Sequence, residues 1–426
     1  MPGNMFRSKF LLECERRGFL NQCTDIEEFD RMLCAGKPVV AYWGTDPTGS
    51  SLHLGHLFSL MILRLFQRCG NRPIVLVGCA TGQIGDPSFK DRSRPMIDLD
   101  TLEKNKRGIE KSVSKFIKFG DGPTDAVLVD NLDWWRDKNY LETLRDLGPH
   151  MSVNRMLSFE SVKIRLAREE HMSFLEFNYM VLQAYDFYHL YKKYGCSLQL
   201  CGADQWGNVV AGVELVRRLC FAKEEVEDGA RTEVIGLSTP LLLDASGKKL
   251  GKSEGNAVWV NEELLSPFDY FQYFRNVSDP DVLRFLGVYT DMPLETIESL
   301  KDRDINELKK ILAFEATKIC HGEEAARECL ERSEQIFEKG NVDYGDLLDY
   351  RTSSREVLLY VLLSDLGLVK SKGEARRLIE GGGVRIDGEK ITDDGHLIRL
   401  DGHRMEFGLS LGRKKVVKIV LTLADS

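Results

Sequence analysis

An α/β fold built on a parallel sheet, with ligands gathered at the strand C-termini, is what this sequence predicts. Two observations carry that expectation. Short apolar runs rich in β-branched and aromatic residues alternate with helical periodicity through the N-terminal half of the chain. The runs at residues 39–43, 73–77 and 198–201 each give way to a Gly-containing loop, and parallel sheets bind their ligands at that edge.

Residues 8–36 read as a helical lead-in, broken by Lys37-Pro38. Val39-Val40-Ala41-Tyr42-Trp43 is the first strand. A helix follows over 54–69, with Leu57, Leu60, Met61 and Leu65 on one stripe and Gly70 as its stop. Residues 73–77 form a second buried strand, a polar helix covers 102–118, and residues 126–129 form a third strand. The stretch 133–190 is mainly helical and rich in aromatics. A strand at 198–201 and a helix at 209–222 come next, then short strands around a Gly/Ser/Lys loop within 235–260. Helical periodicity dominates 267–337. Residues 355–380 read as helix–turn–helix, and Gly381-Gly382-Gly383 leads to short strands in the remainder.

A chain of 426 residues allows two to four domains at ~100–200 residues each. Its 43% hydrophobic content fits a globular protein. No run approaches the ~18–20 apolar residues of a membrane span, so no membrane partner is expected. The first residues lack the apolar core of a secretory signal, which points to the cytoplasm. The ten cysteines contain no C-x-x-C pair and read as reduced thiols rather than disulfides or a zinc site. Net charge is −8, but residues 351–426 carry 14 Lys and Arg against 11 Asp and Glu, a basic pole that can steer a polyanion.

Three constellations carry chemistry. Asp46-Pro47-Thr48-Gly49-Ser50-Ser51-Leu52-His53-Leu54-Gly55-His56 sits where a strand hands over to a helix N-terminus, whose free N–H groups favour phosphate. Gly55 lets a base approach the backbone, and the histidines can donate to charge developing on phosphate. A zinc pair or two surface histidines are the other readings, with no third metal ligand nearby in sequence. Gly247-Lys248-Lys249-Leu250-Gly251-Lys252-Ser253 suits a mobile clamp on pyrophosphate, or a plain basic turn.

The third constellation is a polar face. Tyr179, Gln183 and Asp186 recur at i, i+4 and i+7, on one helical face that is either a pocket wall or solvated. Gln199 through Asn208 places Gly202, Asp204 and Gln205 at a strand end, where an acid can take ribose hydroxyls. Asp86, after the second strand, is another acid at that edge or a turn cap.

Taken together and in this order, the two motifs resemble the signature pair of class I aminoacyl-tRNA synthetases. The chain resembles the bacterial tyrosyl-tRNA synthetases along nearly its whole length, most strongly at residues 42–56, 80–90, 134–154, 174–186, 202–208 and 248–255. The resemblance implies a Rossmann-type catalytic domain (1–260) with a connective insertion (about 120–195) and a lysine loop (247–253). It also implies a helical anticodon-recognition domain (261–338), a linker (339–352) and a small α+β RNA-binding module (353–426) like one found in ribosomal proteins.

It further implies residue roles. Tyr42 and Asp186 read the phenol hydroxyl of tyrosine; Asp86, Tyr179 and Gln183 receive its ammonium; Gln199 and Gln205 support the pocket. Gly202 and Asp204 hold the ribose of ATP, and Asp46 lies near the α-phosphate. Thr48 and His53 stabilise the γ-phosphate end, with His56 beside the nucleotide. Lys90, Arg94, Lys249, Lys252 and Ser253 contact pyrophosphate. ATP with Mg²⁺ is the implied co-substrate, without a prosthetic group or a metal held by the protein. The implied partner is tRNA(Tyr), met by Arg217, Arg218, Lys370, Lys372, Arg376 and Arg377, and the implied assembly is a homodimer.

The chain departs from its relatives at Trp43, where the family commonly has a small residue such as cysteine against the ribose. Either the indole turns away or that edge is packed differently. Lys-Leu-Gly-Lys-Ser also replaces the better-known Lys-Met-Ser-Lys-Ser. Rival readings are a tryptophanyl-tRNA synthetase, which should lack the Tyr42/Asp186 pair, and a nucleotidyltransferase for a small metabolite, which has no need of an RNA-binding module. A third, a non-catalytic RNA-binding paralogue, would be expected to lose the histidines or lysines.

Overall fold

The structure, a computed structural model, describes residues 6–86, 88, 97–220, 233–241, 257–337, 346–400, 402–412 and 415–423. Its chain forms two compact units, residues 1–323 and 324–426.

The first unit opens with α1 (Lys9–Arg17), a two-residue strand β1 (Gln22–Cys23) and α2 (Ile26–Leu33). Strand β2 (Val40–Thr45) leads through the His-containing loop into α3 (Leu54–Arg68), and β3 (Arg72–Val77) ends at the one-turn helix α4 (Cys79–Gly82). After α5 (Leu99–Ser114) and β4 (Val127–Asp130) come α6 (Leu132–Trp135), α7 (Tyr140–Leu147), α8 (Val153–Leu157), α9 (Glu160–Ala167) and the long α10 (Phe174–Tyr194). Strand β5 (Leu198–Gly202), α11 (Trp206–Cys220) and β6 (Ile235–Thr239) complete the sheet. A helical region follows: α12 (Pro267–Arg275), α13 (Val282–Tyr289), α14 (Leu294–Ser299) and α15 (Ile305–His321).

The strand order is β1-β6-β5-β2-β3-β4. Five strands from β6 to β4 run parallel, and β1 pairs antiparallel at the edge. This is the expected α/β architecture. The central strands are apolar on both faces: Pro73 through Val77 are all buried, as a parallel sheet covered on two sides demands. Helix α3 buries ten residues from Leu54 to Phe66, each large side chain stabilising by about 1.5–3 kcal/mol. Helix α10 starts with a reciprocal Ser173/Glu176 capping box and stops at Gly195, whose φ of 65° a glycine adopts without strain.

Local sequence misread two segments. The lead-in at 8–36 is not one helical stretch, because Gly18 ends α1 and the chain crosses to pair with β6 before α2 begins. Residues 346–352, expected within a linker, form strand β7.

The second unit contains α16 (Glu323–Phe337) apart from its first residue, then β7 (Asp346–Thr352), β8 (Glu356–Leu358), α17 (Leu359–Asp365) and α18 (Lys372–Glu380). Strands β9 (Val384–Ile386), β10 (Glu389–Ile391), β11 (Leu397–Arg399), β12 (Arg404–Leu411) and β13 (Lys415–Leu423) follow. Its main sheet has the order β10-β9-β12-β13-β7, and β7 lies parallel to β13 over seven residue pairs. Leu359, Leu362, Leu363, Ile379, Val384, Leu409 and Ile419 form its core. Among the described residues, no helix is long and apolar enough to cross a membrane.

Candidate active site

A cleft of about 580 Å³ opens at the C-terminal ends of β2, β3 and β5. It gathers the polar residues expected from four separate stretches of sequence: Tyr42, Asp46 and Thr48; His53, Gly55 and His56; Asp86; then Tyr179, Gln183 and Asp186. Gln199, Gly202, Asp204 and Gln205 line it as well. Lys90, Arg94, Lys249, Lys252 and Ser253 lie outside the described residues.

At one end of the cleft Asp186, on α10, is buried. Its Oδ1 accepts from the indole N–H groups of Trp134 and Trp135, both at 2.8 Å, and its Oδ2 accepts from Asn131 Nδ2 at 3.0 Å. Burial pushes its carboxyl up to about 7, against the pull of those three donors. A carboxylate has about four acceptor positions, so one is left. Nearby, the buried hydroxyl of Tyr42 and the buried Oε1 of Gln199 have no hydrogen-bond partner among the described residues. Unpaired polar atoms of this kind are costly unless a ligand satisfies them.

From Asp186 a hydrogen-bonded path runs across the cleft. Asn131, fully buried, also donates to Thr81 Oγ1 at 3.0 Å, and Thr81 donates to Asp46 Oδ1 at 2.7 Å. Tyr179 donates to Asp46 Oδ2 at 2.9 Å. Giving away its proton leaves the Tyr179 oxygen a better acceptor, suited to an ammonium group. Asp86, which follows Gly85 at a φ of 83°, accepts from Ser88 N at 3.0 Å and from Gln205 Nε2. Asn208 ties Gln205 to Gln183, donating to both at 3.0 Å.

At the other end His53 caps α3. Its Nδ1 accepts from Gly55 N at 3.1 Å, and His56 Nδ1 accepts from His53 N at 3.4 Å. An Nδ1 that accepts puts the proton of the neutral ring on Nε2. Two imidazoles, with centres 4.0 Å apart and planes tilted by 30°, thus present N–H donors beside a helix N-terminus, a setting for anionic oxygen. Trp43 lines the cleft, but its indole is buried and donates to Ser59 Oγ at 3.0 Å, and Ser59 donates to His56 O at 3.0 Å. The indole braces the first turn of α3.

Sequence reasoning gave no role to Asn131, Trp134, Trp135, Thr81 or Asn208. Asn131 directly follows β4, the same edge rule that singled out Asp86, and could have been found that way. The two indoles show themselves only through folding. Arg217 and Arg218, expected to meet RNA, keep side chains that are 40% and 43% exposed and also have intrachain partners. Arg217 donates to Glu233 and to the Val234 carbonyl, and Arg218 donates to the His150 carbonyl. In the second unit Lys370, Lys372, Arg376 and Arg377 are all exposed on or beside α18. The Arg376 guanidinium lies 4.2 Å from the centre of the Tyr360 ring.

Residues 35–338 match the model of tRNA synthetases class I (W and Y), and residues 358–402 match the S4 domain. The chain is 49% identical to a tyrosine–tRNA ligase of Zymomonas mobilis, over 96% of its length and 97% of the relative's. It is 46% identical to one from Rickettsia africae, over 96% and 99%. A C-terminally truncated mitochondrial tyrosyl-tRNA synthetase of Aspergillus nidulans superposes with a TM-score of 0.69 at 28% identity, covering 78% of this chain and 95% of that one. The chain belongs to the class I tRNA synthetases of the tryptophan and tyrosine family.

Proposed function

We propose that the chain is a tyrosine–tRNA ligase, joining tyrosine to ATP as tyrosyl-adenylate and passing it to the 3′-terminal ribose of tRNA(Tyr). The observation that carries this is the Asp186 carboxylate with one acceptor position left, near the unpartnered Tyr42 hydroxyl. A phenol fits both, donating to Asp186 and accepting from Tyr42. An indole N–H can only donate, so tryptophan leaves Tyr42 unsatisfied, and phenylalanine leaves both. Tyrosyl-tRNA synthetases as a class are the standard example of such discrimination, rejecting phenylalanine by about 10⁵-fold without editing, a known magnitude rather than one obtained from this geometry.

With the phenol held there, the ammonium meets Tyr179, Gln183 and Asp86. The carboxylate then faces Asp46 and the helix that carries His53 and His56. It attacks the α-phosphate of ATP, forming the mixed anhydride and releasing pyrophosphate. No protein nucleophile takes part. His53, His56 and Thr48 stabilise charge on the phosphates, and catalysis is positioning plus electrostatics. Gly202 and Asp204 hold the ribose; a Cβ on Gly202 would lie 2.8 Å from Asp204 Oδ1, so a side chain there would crowd that carboxylate. Lys90, Arg94, Lys249, Lys252 and Ser253 contact the leaving pyrophosphate. Magnesium, carried on the triphosphate, is part of that substrate. The assay is ATP–pyrophosphate exchange with each of the twenty amino acids. Tyrosine alone is expected to support fast exchange, and fast exchange with tryptophan would reverse the assignment.

Lys370, Lys372, Arg376 and Arg377 form the cationic face for tRNA in the second unit, and the enzyme works in the cytoplasm. It acts as a homodimer. Between residues 140 and 175 large apolar side chains stand exposed, Tyr140 at 63%, Leu141 at 73% and Phe174 at 69%, more than solvent contact favours. Sedimentation equilibrium should give twice the chain mass, and Leu141→Glu with Phe174→Glu should shift it toward the monomer. A monomeric wild type would refute the dimer.

A further inference from the structure

The segment after the lysine loop is stitched to the histidine loop by backbone and side chain. Leu54 N donates to Val258 O and Val260 N donates to Leu52 O, both at 3.0 Å, so residues 258–260 lie as a short strap along 52–54. Trp259 on that strap pairs with His53 across an antiparallel bridge, its ring 5.9 Å from the imidazole.

Asn261 follows, and it is buried. Its backbone N–H donates to Ser51 Oγ at 3.1 Å, and its Nδ2 donates to the carbonyls of Ser50 at 3.2 Å and Gly108 at 2.9 Å. Its Oδ1 accepts from Ser112 Oγ at 3.0 Å, and the same Ser112 oxygen accepts from Leu52 N at 3.1 Å. One amide thus joins the histidine loop to α5. The approach is close enough that a Cβ on Gly108 would lie 2.0 Å from the Ser50 carbonyl oxygen. Asn261, Gly108 and Ser112 are not among the residues that hold tyrosine, which come from β2, α10, β5 and the loops after β3, β4 and β5.

We infer that Asn261, with Gly108 and Ser112, is a positioning residue for adenylate formation, fixing the turn at residues 50–53 and through it the His53 imidazole. Buried, fully bonded amides of this kind set a loop's position rather than its chemistry. The inference rests on the adenylation reading above.

The test uses the full chain with Asn261→Ala, Gly108→Ala and Ser112→Ala, the last removing one hydroxyl and adding no bulk. Tyrosine binding is read by equilibrium dialysis without ATP, and turnover by tyrosine-dependent pyrophosphate exchange. The expected result is a fall in kcat of about 10- to 100-fold for Asn261→Ala and Gly108→Ala, and a smaller fall for Ser112→Ala. The Kd and KM for tyrosine should stay within about twofold. Unchanged kcat in Ser112→Ala together with either other variant overturns the inference. So does loss of tyrosine binding in step with turnover, which marks a general folding role. If the wild type itself fails to exchange with tyrosine, the adenylation reading fails first.

Discussion

Replacing Asp186 with alanine should lower kcat/KM for tyrosine by about 10³-fold or more while leaving ATP binding nearly unchanged. Asn131, Trp134 and Trp135 lose their shared acceptor, and each buried N–H left unpaired costs about 1–3 kcal/mol. The substrate phenol loses its acceptor as well. Those three lost bonds weaken the empty chain as well, so the selective loss is the phenol's own, and about 4 kcal/mol for a buried phenol without its charged acceptor corresponds to roughly a thousandfold. Pyrophosphate exchange and ATP titration, run side by side, decide it: equal losses in both would mean the whole cleft had collapsed. The same group sets a pH dependence. Burial raises the Asp186 carboxyl from 3.8 to about 7 in the folded chain. The ionised form offers four acceptor positions and the protonated form fewer, so tyrosine binds the ionised form. Affinity for tyrosine should therefore weaken as pH falls through about 7. For folding the sign is opposite. A raised carboxyl pKa disfavours the charged native state, so this group's cost is absent below 3.8, grows between 3.8 and about 7, and is constant above. Asp186→Asn should flatten both dependences.

The second large effect is expected at Gly78. A Cβ built there would lie 2.3 Å from both Asp46 Oδ1 and Thr81 Oγ1, inside the 2.7 Å hydrogen bond that joins them. Neither atom is the loose end of a long side chain, so Gly78→Ala must push Asp46 and Thr81 apart. Tyr179 and Asn131, bonded to those two residues, would move with them. Misplacement of that order can cost about 10²-fold in rate. Exchange kinetics should show that loss in kcat/KM for tyrosine, together with a lowered Tm. Wild-type kinetics in Gly78→Ala would mean that the path across the cleft does not govern substrate placement.

The parallel sheet was legible because β2 and β3 are buried on both faces and read as apolar runs, and β5 does so but for Gln199. Their order was not: β6 lies beside β5, and β1 beside β6, the latter through a pairing between distant parts of the chain. Strand β7 escaped notice because Asp346 through Thr352 (DLLDYRT) lacks the alternation of a half-buried strand and follows a stretch with Gly340 and Gly345, and its pairing partner is β13. Asp86, Asp186 and Asp204 stood out as acids at strand ends or on a polar helical face. The indoles of Trp134 and Trp135 did not, since a tryptophan's N–H gains meaning only when burial brings an acceptor to it. Asn261 is the extreme case, one ordinary residue in sequence and several hydrogen bonds in the fold.

Strand β7 has a practical consequence. Both the match to the S4 domain, which begins at residue 358, and the sequence expectation of a boundary at 353 would separate the C-terminal unit downstream of it. A fragment cut there leaves one long edge of β13 bare along seven residues. An unprotected edge invites pairing with a second copy. A cut upstream of Asp346 keeps that edge covered by the chain's own strand, and is the one to choose for studying RNA recognition in isolation.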